Sequence, residues 1–242
     1  MKPVHILASK DDIAKNVIVV GDPGRAKLLS DLLKNPKLVN ENRGFITYTG
    51  LYQDVPITVA THGIGSASSA AVFEELRMLG AERMVRLGTT GAFKEEIKVG
   101  DVIVADGAAH PIGGTIGMYI GTENCYPASP DIELTYEIYK KLKSVLPKVY
   151  LGGVFSSDAF YAENPQFVEI WSHRNILSVE MECATLFTIA RLRGFKAGGV
   201  LVVSDNLKTG ESVLAQPEIL KTRFLEVGKT LMDVFIMFEK KP

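Results

Sequence analysis

The stretch VIVVGDPGR, residues 17–25, places four consecutive apolar residues directly before a turn that contains two glycines, a proline and an arginine. A short β-branched run of this kind predicts a strand that is buried on both faces. Pro23 suits the first turn of a helix, because its missing N–H would have no intrahelical partner there. The stretch therefore predicts a strand that leads into a helix, which is the repeating unit of α/β folds.

The same alternation of strands and helices continues along the chain. Further apolar runs predict strands at residues 57–61, 84–87, 102–105, 149–155 and 198–203, and helical patterns cover residues 66–79, 131–146, 183–192 and 217–239. We expect an α/β fold with a mixed, mostly parallel central sheet that is flanked by helices on both faces. Because no repeat or linker-like segment divides the 242 residues, a single domain spanning 1–242 is expected.

Composition and charge exclude several classes of function. A net charge of −1 argues against a general nucleic-acid or membrane-surface binder. The chain has neither a membrane-length apolar run nor a signal-peptide core, so we expect a cytoplasmic protein. The four histidines are scattered and two cysteines are too few for a disulfide scaffold, so no metal site is expected. Cys125 lies in a polar loop and could pair only with another chain, and we hypothesise an inter-subunit disulfide there.

Two strand ends carry residues that suit an anion. Gly21 and Arg25 follow the first predicted strand, where a glycine, a helix N-terminus and a guanidinium can meet an oxyanion. In RLGTTG, residues 86–91, Arg86 lies in an apolar strand and Thr89 follows it. A buried arginine requires an anionic partner, which is either a structural carboxylate or a ligand phosphate. Arg43, in the polar turn ENRGF, is by itself most simply a solvated arginine.

Carboxylates and an aromatic residue lie near other strand ends. Glu180 and Glu182 would share one face at strand spacing, and a carboxylate can accept hydrogen bonds from both vicinal hydroxyls of a ribose. A favourable charge at a helix N-terminus is the alternative, and it explains Glu182 better than Glu180. Asp205 closes a strand, where it is either a proton donor or a turn-forming residue. Phe160 is suited to stacking on a heterocycle or to the core.

Several motifs in a fixed order resemble the nucleoside phosphorylase family, which includes hexameric purine nucleoside phosphorylases, uridine phosphorylases and archaeal-type methylthioadenosine phosphorylases. The motifs are VVGDPGRA, ENRGF, THGIG, RLGTTGA, VGDVIVADGA, FSSDAFY, VEMECA and VVSDN, between His5 and about Asn206. The resemblance is closest to methylthioadenosine phosphorylase. It implies a pentosyltransferase of purine salvage that uses inorganic phosphate as co-substrate, with no cofactor. The products would be a free base and ribose 1-phosphate or 5-methylthioribose 1-phosphate.

The resemblance also assigns roles to individual positions. It implies that phosphate binds to Gly21, Arg25, Arg86 and Thr89, with Arg43 reaching the site from the neighbouring subunit. It implies that the nucleoside binds to Phe160, Glu180, Met181 and Glu182, with His5 covering the 5′ end from the neighbouring subunit. Asp205 would protonate N7 of the purine. The assembly it implies is a homohexamer, a trimer of dimers with shared active sites.

The sequence departs from the family pattern at two places, one near the proton donor and one at the position that would contact a pyrimidine base. Purine enzymes carry an arginine downstream of the aspartate, and residues 210–220 contain none. Uridine phosphorylases carry a Gln-x-Arg pair for the pyrimidine carbonyls, and Phe167 stands here in place of the arginine, which disfavours uridine. A uridine phosphorylase, a nucleosidase that uses water and a nucleoside-binding protein are the alternatives. The three arginines argue against a nucleosidase, and a retained proton donor argues against mere binding.

Overall fold

Nine strands of the described chain build one sheet. The structure is a computed structural model, which describes residues 2–162, 164–213 and 217–240. The strands are β1 (Asn16–Val20), β2 (Lys34–Asn40), β3 (Thr47–Tyr52), β4 (Val55–Thr61), β5 (Arg83–Ala92), β6 (Val102–Ala109), β7 (Val149–Ser156), β8 (Ser178–Glu180) and β9 (Lys196–Asn206). The α-helices are α1 (Pro23–Ser30), α2 (Gly65–Met78), α3 (Gly114–Ile120), α4 (Ile132–Val145), α5 (Phe167–His173), α6 (Cys183–Arg193) and α7 (Pro217–Lys240).

The sheet is mixed and closes on itself at one end. The strand order is β2-β3-β4-β1-β5-β8-β7-β6-β9, and β9 pairs with β5 as well as with β6. The pairs β1–β4, β1–β5, β5–β9, β6–β7 and β7–β8 are parallel, and the others are antiparallel. The single α/β domain with a mixed sheet is thus confirmed. The closure of five strands into a barrel is a feature that the apolar pattern does not specify.

Alternate residues of β1 explain why its whole apolar run is buried. Val17 and Val19 belong to the core that packs with α2 and α6, whereas Ile18 and Val20 belong to the core that packs with α1, α4 and α7. The helices therefore cover both faces of the sheet. On one of these faces Gly199 lets α6 approach closely, because a Cβ there would lie 2.9 Å from Cys183 Sγ.

Some boundaries and elements differ from the sequence-based prediction. Strands β2 and β3 were not predicted. Strand β2 is an exposed edge strand of mostly polar residues, and most residues of β3 are only partly buried. Helix α2 begins at Gly65, before the predicted serine, and no side chain caps it. Cys125 is exposed and Cys183 is buried. No helix within the described ranges is long and apolar enough to cross a membrane.

Candidate active site

A cavity of about 870 Å³ opens where β1, β5, β8 and β9 end. The carboxyl ends of parallel strands are the usual place for a ligand in α/β sheets. The residues that line the cavity include every candidate predicted above except His5 and Arg43. Its lining includes Gly21, Asp22, Arg25, Gly63, Ile64, Arg86, Thr89, Ser157, Phe160, Glu180, Met181, Glu182, Asp205 and Leu207.

One corner of the cavity suits an anion. Arg25 Nη1 donates to Thr89 Oγ1 at 3.3 Å, and the guanidinium lies 4.6 Å from the centre of the Phe224 ring. Burial lowers the pKa of Arg25, Asp22 opposes the shift, and the positive charge of Arg86 adds to it. A partly buried cation in this position is stabilised by a bound anion. Gly21, also in the cavity lining, completes this corner.

The start of helix α1 contributes less to this corner than the sequence predicts. Asp22 is the N-cap residue of α1, and its carboxylate accepts a hydrogen bond from the Arg25 backbone N–H at 2.9 Å. The Arg25 backbone N–H, one of the groups at the helix N-terminus, is therefore already bonded within the chain. The backbone at Gly21 is closely packed, because a Cβ there would lie 3.3 Å from the carbonyl oxygen of Gly63.

Arg86 is paired with two carboxylates beside the anion corner. Its Nε donates to Glu180 Oε2 at 3.1 Å, and its Nη2 lies 2.5 Å from Glu182 Oε2. Burial alone lowers the pKa of Arg86, but Glu182 and Glu180 more than offset burial and raise it above its ordinary value. Gly88 makes room for the guanidinium, since a Cβ there would overlap it. Of the two partners considered for this buried arginine, the structure contains the carboxylate.

Glu180 is engaged entirely with the protein. It accepts hydrogen bonds from the backbone N–H groups of Glu182 at 2.8 Å and Cys183 at 2.9 Å, and from the hydroxyl of Ser156. Its side chain has no exposed surface. These bonds fix the start of α6 and the position of Arg86. This geometry favours a positioning role for Glu180 over direct contact with a nucleoside.

Glu182 retains the capacity to bind hydroxyls. Its Oε1 accepts the Gly65 backbone N–H at 2.6 Å, and its Oε2 faces Arg86. Burial raises the pKa of Glu182, Arg86 lowers it and Glu180 raises it, with a net upward shift. Each carboxylate oxygen has a second lone pair, so both can accept hydrogen bonds from the vicinal hydroxyls of a ribose. Met181 lies beside it in the cavity lining.

Asp205 lies at the carboxyl end of β9 and lines the same cavity as the arginines. Its Oδ1 accepts a hydrogen bond from Ser212 Oγ at 2.6 Å. The alternative role of turn former belongs to Asn206, whose Oδ1 accepts the backbone N–H groups of Lys208 and Thr209. The Asp205 carboxyl is thus available to the cavity. Phe160 lines the same cavity and is 67% exposed.

His5 and Arg43 lie together on a surface outside their own chain's cavity. Asn42 Nδ2 donates to the carbonyl oxygen of His5 at 3.0 Å, which holds the two segments side by side. His5 Nδ1 lies 2.7 Å from Glu75 Oε1. Arg43 is exposed and adopts a φ of 55°. The structure therefore separates these two residues from the other predicted site residues.

Several residues of the site were not found by sequence reasoning. The backbone N–H of Gly65 and the hydroxyls of Ser156 and Ser212 bind the functional carboxylates. Gly65 belongs to the motif THGIG, which signals the site only through the family resemblance. Ser212 lies in the segment where the expected arginine is missing, and no sequence signal identifies it.

Comparisons with known proteins identify the family to which the chain belongs. A 37% identical relative is the guanosine phosphorylase of Halorubrum lacusprofundi, matched over 86% of each chain. The purine nucleoside phosphorylase DeoD-type of Oceanobacillus iheyensis is 35% identical over 96% of this chain and 99% of its own. The crystal structure of uridine phosphorylase from Vibrio fischeri superposes with a TM-score of 0.89 at 31% identity, covering 96% of each chain. The profile of the phosphorylase superfamily matches residues 15–232, and the chain belongs to this family.

Proposed function

We propose that this nucleoside phosphorylase cleaves purine nucleosides, among them 5′-methylthioadenosine, adenosine, inosine and guanosine. The observation that carries the proposal is the arrangement of one cavity. It holds the cationic corner of Arg25 and Thr89, the carboxylate of Glu182 and the carboxyl group of Asp205. Phosphate, sugar and base each have a chemically suitable partner in it.

The residues of the cavity perform three tasks in phosphorolysis. Arg25, Thr89 and Arg86 hold phosphate next to the anomeric carbon, so that its negative charge faces the positive charge that develops on the ribosyl group. Glu182 accepts hydrogen bonds from the 2′ and 3′ hydroxyls and fixes the sugar. Asp205 gives a proton to N7 while the electron pair of the glycosidic bond moves to the base, and a phosphate oxygen bonds to C1′.

The surroundings of Phe167 support a purine over uracil. In this position, where an arginine would bind a pyrimidine carbonyl, the phenyl ring packs into an aromatic cluster. Its centroid lies 5.1 Å from that of Phe155 and 5.6 Å from that of Phe93. A ring held in this way offers no hydrogen bond to uracil.

Phosphate dependence is the first expected result. Release of free base from guanosine, inosine, adenosine or methylthioadenosine should require phosphate, with uridine cleaved poorly, because the three arginines serve an anion. The measurement is base release followed by absorbance or chromatography in phosphate and in phosphate-free buffer. Equal rates in the two buffers would identify a nucleosidase, and binding without release would identify a nucleoside-binding protein. Uridine as the best substrate would overturn the purine assignment.

We also propose that the protein acts in the cytoplasm as a homohexamer, a trimer of dimers in which neighbouring chains share active sites. The support is the location of His5 and Arg43 on one patch outside their own cavity, held together by Asn42. A two-fold contact is self-complementary, so each chain would lend this patch to its neighbour and receive the same patch in return.

Mixing two inactive variants tests the shared site. Arg43→Ala and Asp205→Asn should each be nearly inactive alone. When they are unfolded together and reassembled with random pairing, about a quarter of the sites should regain both intact residues, because isologous contacts exchange them. The measurement is phosphorolysis after reassembly, with each variant refolded alone as the control. No recovery despite demonstrated subunit exchange would contradict the shared site.

A further inference from the structure

We propose that Ser212 is a positioning residue for Asp205 and takes the place of the missing downstream arginine. The inference rests on the proposed function, in which Asp205 gives a proton to the purine. It concerns a residue that lies seven positions beyond the acid, in the turn that follows β9.

The contact between the two residues is fixed by side chains and by backbone. Ser212 Oγ donates to Asp205 Oδ1 at 2.6 Å. The two residues also form an antiparallel β-bridge, and the Asn206 backbone N–H donates to the carbonyl oxygen of Glu211 at 2.8 Å. The paired backbone segments thus hold Ser212 beside Asp205, so the position of the hydroxyl is set by the backbone as well as by the side-chain torsion angle.

The turn that carries Ser212 is itself anchored. Asn206 is buried, and its Nδ2 donates to the carbonyl oxygens of Lys94 at 2.9 Å and Ile97 at 2.7 Å. Its Oδ1 accepts the N–H groups of Lys208 and Thr209, both at 2.9 Å. One side chain therefore ties the turn to the segment after β5. A satisfied buried network of this kind holds a single conformation.

This arrangement determines which oxygen of Asp205 meets the base. Because Ser212 binds Oδ1, the carboxyl cannot rotate freely and Oδ2 is left to face the cavity. Once Oδ2 has given its proton to N7, the hydroxyl continues to donate to the new carboxylate. It does this without adding a formal charge to the site, in contrast to the arginine of the resembling enzymes.

A substrate that needs no proton separates positioning from general support of the loop. The base of a 7-methylpurine nucleoside is already cationic and blocked at N7, so it leaves without help from Asp205. Ser212→Ala should lower kcat for guanosine or inosine by roughly ten- to a hundredfold, the effect of losing one hydrogen bond to a charged group. The rate for the 7-methyl derivative of the same nucleoside should stay unchanged.

Two variants serve as controls. Ser212→Thr keeps a hydroxyl in a bridge position that tolerates a β-branched residue, and it should restore most of the lost rate. Ser144→Ala removes a hydroxyl that donates to the carbonyl oxygen of Lys141 at 2.7 Å on the exposed surface of α4. This variant should leave kcat unchanged with both substrates.

Two outcomes would overturn the inference: an equal loss of rate on both substrates, or no loss on either. The first would mean that Ser212 merely supports the loop. Failure of the proposed function is seen separately, because the wild-type protein would then either release no base in phosphate or release it equally fast without phosphate.

Discussion

Asp205→Asn should slow phosphorolysis of guanosine or inosine by about 10²- to 10⁴-fold, the usual contribution of a positioned general acid. Asparagine has nearly the same shape, so it can still lie beside Ser212 at the end of β9, but its amide gives no proton to N7. The loss should appear in kcat, since the corner formed by Arg25 and Thr89 is untouched. Single-turnover and steady-state rates of base release measure it.

The 7-methyl derivative of the same nucleoside is the matched control for this variant. Its base leaves without protonation, so Asp205→Asn should cleave it at nearly the wild-type rate. A kcat close to wild type on the unmethylated nucleoside would instead assign Asp205 to the turn. Equal losses on both nucleosides would assign it to folding of the site.

Arg86→Met should lower the free energy of unfolding by about 3–5 kcal/mol, the cost of removing one partner from a buried ion pair. The side chains of Arg86, Glu180 and Glu182 are at most 5% exposed. Without the cation, two carboxylates would remain buried together and would repel each other. Urea denaturation at neutral pH and one fixed protein concentration measures the loss, because subunit association also contributes to stability.

The control for this variant is Arg193→Met. Arg193 pairs with Glu74 at 2.8 Å and its side chain is 47% exposed, so its removal should cost at most about 1 kcal/mol. The loss in Arg86→Met should also shrink as the pH falls. Without Arg86 the pKa of Glu182 rises further above its unfolded value, and protonation of such a carboxyl favours the folded state. Equal losses in the two arginine variants would contradict the structural role of Arg86.

Much of the site could be predicted because the carboxyl ends of strands converge. Gly21, Thr89 and Asp205 each follow an apolar run, and runs of that kind predict buried strands whose carboxyl ends share one edge of the sheet. The hydrogen bonds of Glu180 could not be predicted, because they depend on backbone N–H groups that converge only when α6 begins there. Ser212 was missed because its contact with Asp205 depends on how the turn after β9 folds, which no pattern in the sequence specifies.

In the fold, too, some elements could be predicted from the sequence and others could not. The buried strand β1 was predicted from its continuous apolar run, since both of its faces are covered. Strand β2 is exposed along most of its length and lacks that pattern. Barrel closure depends on which strands β9 pairs with, and the residues of a single strand do not specify its neighbours in the sheet.

The backbone of Arg43, with φ at 55°, has a consequence for engineering of this protein. An L-residue with a long side chain costs about 1 kcal/mol in that conformation, which glycine adopts freely. A redesign for thermal resistance that replaces residues with positive φ would select this position early and would obtain a more stable subunit. If neighbouring chains share their sites, the same substitution would inactivate the active site of the neighbouring subunit. A screen that measures melting temperature alone would register only the gain in stability.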